Sequence, residues 1–97
     1  MQHLHLTESG RDKLARIAKN SSIFPVEALE SLLRHPVAQV PYIVHPRPLF
    51  DYKNTRASYV MSLPSQARLD RQAEAAGLSC SDYVELILLL VGEHVRL

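Results

Sequence analysis

The chain has 97 residues, 46% of them hydrophobic and 22% charged, with a net charge of +1 and a pI near 8.0. This length admits one small domain, or two very small units sharing a core, and the composition excludes wholesale disorder. The charge balance lies below the range common among nucleic-acid-binding domains, which argues against a strong nonspecific hold on DNA.

From the start, His3-Leu4-His5-Leu6 alternates polar and apolar residues, and Gln2 to Leu6 reads as a short strand. Thr7-Glu8-Ser9-Gly10 then opens a helix that runs to about Lys19, with Leu14, Ile17 and Ala18 on its inner side. Arg11, Lys13, Arg16 and Lys19 are interleaved with Glu8 and Asp12, the pattern of a solvated face more than of a phosphate-binding stripe. Asn20-Ser21-Ser22 ends that helix. Pro25, favoured in a first turn, begins a second one carrying Val26, Leu29, Leu32 and Leu33 inward as far as His35-Pro36.

Residues 36–55 hold prolines at 36, 41, 46 and 48, a spacing that excludes a helix and enforces extended backbone. Val40, Tyr42, Ile43, Val44, Leu49 and Phe50 are too apolar for a free linker. The stretch therefore reads as a strap packed on the core, with part of it an edge strand.

Ser58-Tyr59-Val60-Met61-Ser62-Leu63 alternates again and meets Pro64, after which Leu69, Ala73 and Ala76 recur at helical spacing. Gly77 suits the left-handed residue just past a helix end, and Ser79 with Asp82 three residues on reads as the start of another helix. In that helix Leu86-Ile87-Leu88-Leu89-Leu90-Val91 covers every face, which points to a pairing interface as well as a core. The run is far short of the ~20 residues that cross a bilayer.

The order strand, helix, turn, helix thus occurs twice. A gapless shift of 55 residues matches Leu14 with Leu69, Arg16 with Arg71, Ala18 with Ala73, Glu30 with Glu85 and Leu33 with Leu88. Ile23/Leu78, Glu27/Asp82, Leu29/Val84 and Leu32/Ile87 are conservative matches on the same shift. The reading is a chain of an N-terminal unit 1–35, a proline-rich strap 36–55 and a C-terminal unit 56–97. Against it stands the fact that any two amphipathic helical hairpins share such spacing.

The strand ending at Leu63-Pro64, the helix with Leu69 and Ala73, and the turn Gly77-Leu78-Ser79-Cys80-Ser81-Asp82-Tyr83-Val84 resemble the ribbon-helix-helix DNA-binding proteins of the MetJ/Arc type. The resemblance covers roughly the C-terminal third of the chain. It implies a mainly α fold with a short two-stranded antiparallel ribbon that enters the major groove, either two units in tandem in one chain or a homodimer through 56–97. It implies that Tyr59, Met61 and Leu63 face the core. Ser58, Val60 and Ser62 would face the bases with Arg56 at the entrance, and a tandem chain would add His3 and His5 from a paired strand 2–6. Backbone N–H groups at Ser79, Cys80 and Ser81 would hold a phosphate. Family members usually carry Arg, Lys, Gln or Asn at the outward positions, so Ser, Val and Ser here imply weak base readout.

The five histidines show neither a Cys pair nor a His-x-x-x-His spacing, so no metal and no cofactor are expected. Three glycines, at 10, 77 and 92, form no phosphate loop, and no nucleophile elbow is present, so no catalytic residue and no enzyme are expected. Cys80 is the sole cysteine, which excludes an intrachain disulfide. With no basic start followed by an apolar core at Met1 to Leu6, a cytoplasmic protein is expected. The functional expectation is a sequence-specific DNA-binding protein, a transcriptional repressor or plasmid-transfer accessory factor. The alternative is a protein-interaction module, such as an antitoxin, an inhibitor or an assembly factor.

Overall fold

A computed structural model describes residues 2–4, 6–42, 50, 57–92 and 94–97. Each helix begins at a residue suited to begin it. Thr7 caps α1 (Glu8–Asn20), its Oγ1 accepting from Gly10 N at 3.0 Å. Pro25 opens α2 (Pro25–Arg34), where the Glu27 carboxylate reaches back to Phe24 N at 3.1 Å. Ser62 caps α3 (Leu63–Ala75), and Ser79 caps α4 (Cys80–Leu90) by accepting from Asp82 N at 3.2 Å. A 3₁₀ turn at Pro36–Ala38 follows α2. Strand β1 (Gln2–Leu4) pairs antiparallel with β2 (Ala57–Tyr59).

The two hairpins turn alike. After α1, Ser22 N donates to Lys19 O at 3.2 Å and Ile23 N to Ala18 O at 3.0 Å. After α3, Gly77 N donates to Glu74 O at 3.0 Å and Leu78 N to Ala73 O at 2.9 Å. Both turns use a left-handed residue, Gly77 at φ 73° and Ser22 at φ 57°. Glycine adopts that conformation freely, and serine does so at a cost.

A shift of 55 therefore relates more than sequence. It carries α1 onto α3, the start of α2 onto that of α4, Thr7 onto Ser62 and Ser22 onto Gly77. It also sends His3 to Ser58, and these two are paired in the register Gln2 with Tyr59, His3 with Ser58, Leu4 with Ala57. Exchanging the halves leaves that register unchanged, so an approximate two-fold axis passes through the His3/Ser58 pair. The same exchange relates two buttresses. The Glu85 carboxylate accepts from Thr7 N and Oγ1 at 2.9 to 3.0 Å, and the Glu30 carboxylate accepts from Ser62 N at 3.3 Å and Ser62 Oγ at 3.1 Å. Each half's second helix thus holds the start of the other half's first helix, where a negative charge meets the positive end of the helix dipole.

Leu14, Ile17, Leu29, Leu32, Leu33, Leu69, Tyr83, Val84, Ile87 and Leu88 fill one core shared by the halves, closed by Leu4 and Leu6. Tyr83 donates its hydroxyl to Ala38 O, and Gln72 Nε2 donates to Leu33 O at 2.9 Å, fixing the 3₁₀ turn and the end of α2 against α3 and α4. Gly10 is required by contact: a Cβ there would overlap the Glu85 carboxylate.

The expected fold class, a ribbon-helix-helix protein with a ribbon over 2–6 and 56–63, is corrected. Among the described residues the body is mainly helical, built of four helices, and the extended pairing spans three residues on each side. The physical reason lies at Ser62. Its hydroxyl caps α3, and with Pro64 in the first turn the backbone is helical from Leu63, so the segment before the proline cannot continue as strand. Leu63, expected in the core, is 79% exposed; Met61 is buried and Tyr59 half-buried. On α4 the apolar run splits: Ile87 and Leu88 are buried, while Leu89 and Leu90 remain exposed. Of the strap, Val40 and Phe50 are half-buried and Tyr42 is exposed. The expectations on Ile43, Val44 and Leu49, and on an edge strand among them, fall outside the described residues.

Candidate nucleic-acid interface

Two groups of residues are candidates for contact with a duplex. The first is the strand pair. His3 and Ser58 lie opposite each other at its centre, and Val60 follows β2 with its side chain 68% exposed. Ser62 is not available as a base-facing hydroxyl, because its Oγ accepts from Ser65 N and donates to Glu30. His5 and Arg56 lie outside the described residues. Burial pushes the Tyr59 phenol up, opposed by the positive charge of Arg11, an exposed side chain on the first turns of α1. A cation therefore stands near the strand pair.

The second group is Ser79, Cys80 and Ser81 at the start of α4. Ser79 Oγ already satisfies the Asp82 N–H, and Cys80 Sγ donates to Asp70 Oδ1 at 3.3 Å. Asp70 and Glu74 line the adjoining hollow of about 420 Å³ together with Tyr42 and Cys80. A helix N-terminus carries about half a positive charge. The carboxylates of Asp70 and Glu74 share the hollow with Ser79 and Cys80, so a phosphate held by this helix start would lie beside acidic side chains.

Among the described residues, two cations come together elsewhere. Lys13 Nζ donates to Val91 O at 2.7 Å, and Leu97 N donates to Ser21 Oγ at 2.9 Å, so the tail after α4 lies back along α1. It brings His94 to a hollow of about 350 Å³ lined with Arg16, Lys19 and Asn20. The sequence flagged Arg16 and Lys19 as part of a charged face. Nothing in its spacing flags His94, which arrives only through the course of the tail.

Glu30, on the cross-half buttress, is held below the usual carboxylate range by hydrogen bonds from the Ser65 hydroxyl and from the Ser62 N–H and hydroxyl, with partial desolvation opposing them. Burial pushes the Tyr83 hydroxyl up. Among the described residues no three His, Cys, Asp or Glu side chains gather as a metal group, and no helix is long and apolar enough to cross a membrane. No protein family, curated protein or solved structure matches the chain.

Proposed function

We propose that this chain is a sequence-specific DNA-binding protein, a transcriptional repressor or plasmid-transfer accessory factor, and that the face carrying the strand pair meets the duplex. The observation that supports this reading is the two-fold axis through His3/Ser58. A duplex has local dyads of its own, and a body whose halves are exchanged by an axis at its strand pair can present equivalent elements to both sides of one. Arg11 near Tyr59 supplies positive charge beside that face. With Ser62 committed to capping, base contacts fall to few side chains, and affinity rests on the phosphates.

A second reading, a protein-interaction module, is favoured by one observation. Leu63 at 79%, Phe24 at 73%, Leu89 at 64% and Leu90 at 58% are exposed apolar side chains on a small body. Fluorescence anisotropy with a labelled duplex from the protein's own upstream region separates the two readings. The DNA reading expects saturable binding that weakens steeply between about 50 and 200 mM salt. No binding at the lower salt concentration would leave the protein-interaction reading.

A further inference from the structure

A body whose halves are exchanged by an axis presents the same groups on both sides of it, except where the two halves differ in sequence. Beside the strand pair they differ twice. The shift of 55 puts Gln66 of α3 where α1 has Arg11, and Tyr59 of β2 where β1 has Leu4. On one side Leu4 is buried, and the Gln66 side chain turns back to donate from Nε2 to Met61 O at 3.2 Å. On the other, Arg11 is exposed and Tyr59 half-buried, with the guanidinium close enough to oppose the rise that burial gives the phenol.

Packing asks for neither difference. Leucine fills the matching strand position, and a cation in the first turns of α1 stands at the end of the helix dipole that disfavours it. A guanidinium and a phenol hydroxyl are both hydrogen-bond donors, a pair suited to the oxygens of a phosphate. Glu8 and Asp12, exposed on the same turns, shorten the reach of the Arg11 charge, so its effect is a short-range hydrogen-bonded contact and not steering from a distance. The next basic position does not restore the balance between the halves. Lys13, matched by Arg68, lies two residues on, about 200° round the helix, and reaches Val91 O instead.

We propose that the Arg11 guanidinium and the Tyr59 hydroxyl together hold one backbone phosphate of bound DNA, on one side of the His3/Ser58 axis only, so that the protein sits on a duplex in a single orientation. The inference rests on the DNA reading above and adds which residues make the contact and on which side.

The test is duplex binding by anisotropy over a range of salt, on wild type, Arg11→Gln and Tyr59→Phe. Arg71→Gln, which removes another exposed arginine, on α3, is the control of equal charge change. Each phosphate contact made by a cation contributes about one unit to the slope of log K against log [salt]. Arg11→Gln is expected to lose about one unit of slope and roughly tenfold in affinity, and Arg71→Gln to leave the slope unchanged. Tyr59→Phe removes a neutral donor that displaces no counterion, so affinity is expected to fall about fivefold at an unchanged slope. Unchanged thermal melting is expected to show that each variant is folded. Ethylation interference is expected to reveal a phosphate, on one side of the site, that wild type needs and Arg11→Gln does not. Equal slopes in Arg11→Gln and wild type, or an equal loss in Arg71→Gln, would overturn the contact and leave the DNA reading standing. Unchanged affinity in Tyr59→Phe would overturn the hydroxyl's part, and phosphates released on both sides by Arg11→Gln would overturn the single orientation. Failure of the wild type to bind any duplex would overturn the DNA reading and this inference together.

Discussion

The two buttresses have the same connectivity by symmetry and differ in burial, and that contrast can be measured. The Glu85 carboxylate is 3% exposed and accepts from Thr7 N and Thr7 Oγ1. Hydrogen bonds to a charged group contribute about 1.5 to 3 kcal/mol each, and a buried donor left without its acceptor costs about 1 to 3 kcal/mol. Glu85→Ala removes both acceptors and leaves Thr7 N without its partner in a part-buried site, so the expected loss is about 3 to 5 kcal/mol. That is a large share of the ~5 to 15 kcal/mol that holds a domain together. Glu30→Ala removes the matching contacts to Ser62, which lie in solvent, together with the hydrogen bond from the Ser65 hydroxyl, so the expected loss is smaller, about 1 kcal/mol. Urea unfolding followed by far-ultraviolet circular dichroism, with the m-value checked for constancy, reads both variants. Equal losses in the two would refute the claim that burial, and not the shared connectivity, sets the strength of these contacts.

Three further outcomes follow from the geometry. Ser22→Gly is expected to raise stability by about 0.5 to 1 kcal/mol and Gly77→Ala to lower it by about 1 kcal/mol, because both positions are left-handed; opposite signs in the same urea assay would contradict the turn geometry. Gly10→Ala is expected to cost about 1 to 3 kcal/mol by forcing the Glu85 carboxylate aside, and pairing it with Glu85→Ala should remove most of that additional cost. Glu30 is held below the carboxylate's ordinary value in the folded protein, so its contribution is present above the unfolded value and is lost as pH falls through the folded one. The stability difference between wild type and Glu30→Gln should therefore shrink as pH is lowered from about 5 to about 3, and a difference that grows on acidification would contradict the assigned hydrogen bonds.

Much of the skeleton can be read from residues whose local signal agrees with the packing. Leu14, Leu29, Leu32 and Leu69 fall on helical spacing and are buried, and the shift that matches Leu14 with Leu69, Leu29 with Val84 and Leu32 with Ile87 also relates the two turns and the two buttresses. Glu30 and Glu85 are matched in sequence as charged positions. Their role is visible only in space, because each reaches the helix start of the other half. The pattern misleads at Leu63. The period of two in Tyr59, Met61 and Leu63 continues into a segment where Ser62 followed by Pro64 is also a helix start, and the cap prevails because its hydrogen bonds are local. At Ser22 no glycine marks the left-handed turn, so the likeness of the two hairpins is hidden at the residue that defines it. At the phosphate site expected on Ser79, Cys80 and Ser81 the structure adds something that no local motif carries: Asp70 and Glu74 come from the preceding helix to line the same hollow. His94 is hidden likewise, since its place depends on a tail tied down at Lys13 and Ser21.

The claim that the strand-pair face meets DNA is tested most directly by titrating a ¹⁵N-labelled sample with unlabelled duplex and following the backbone amide resonances. The account predicts that the largest shifts fall on Gln2 to Leu4, Arg11 and Ala57 to Tyr59, on both sides of the His3/Ser58 axis. Shifts confined to Phe24, Leu89 and Leu90, or none at a saturating duplex concentration, would contradict it.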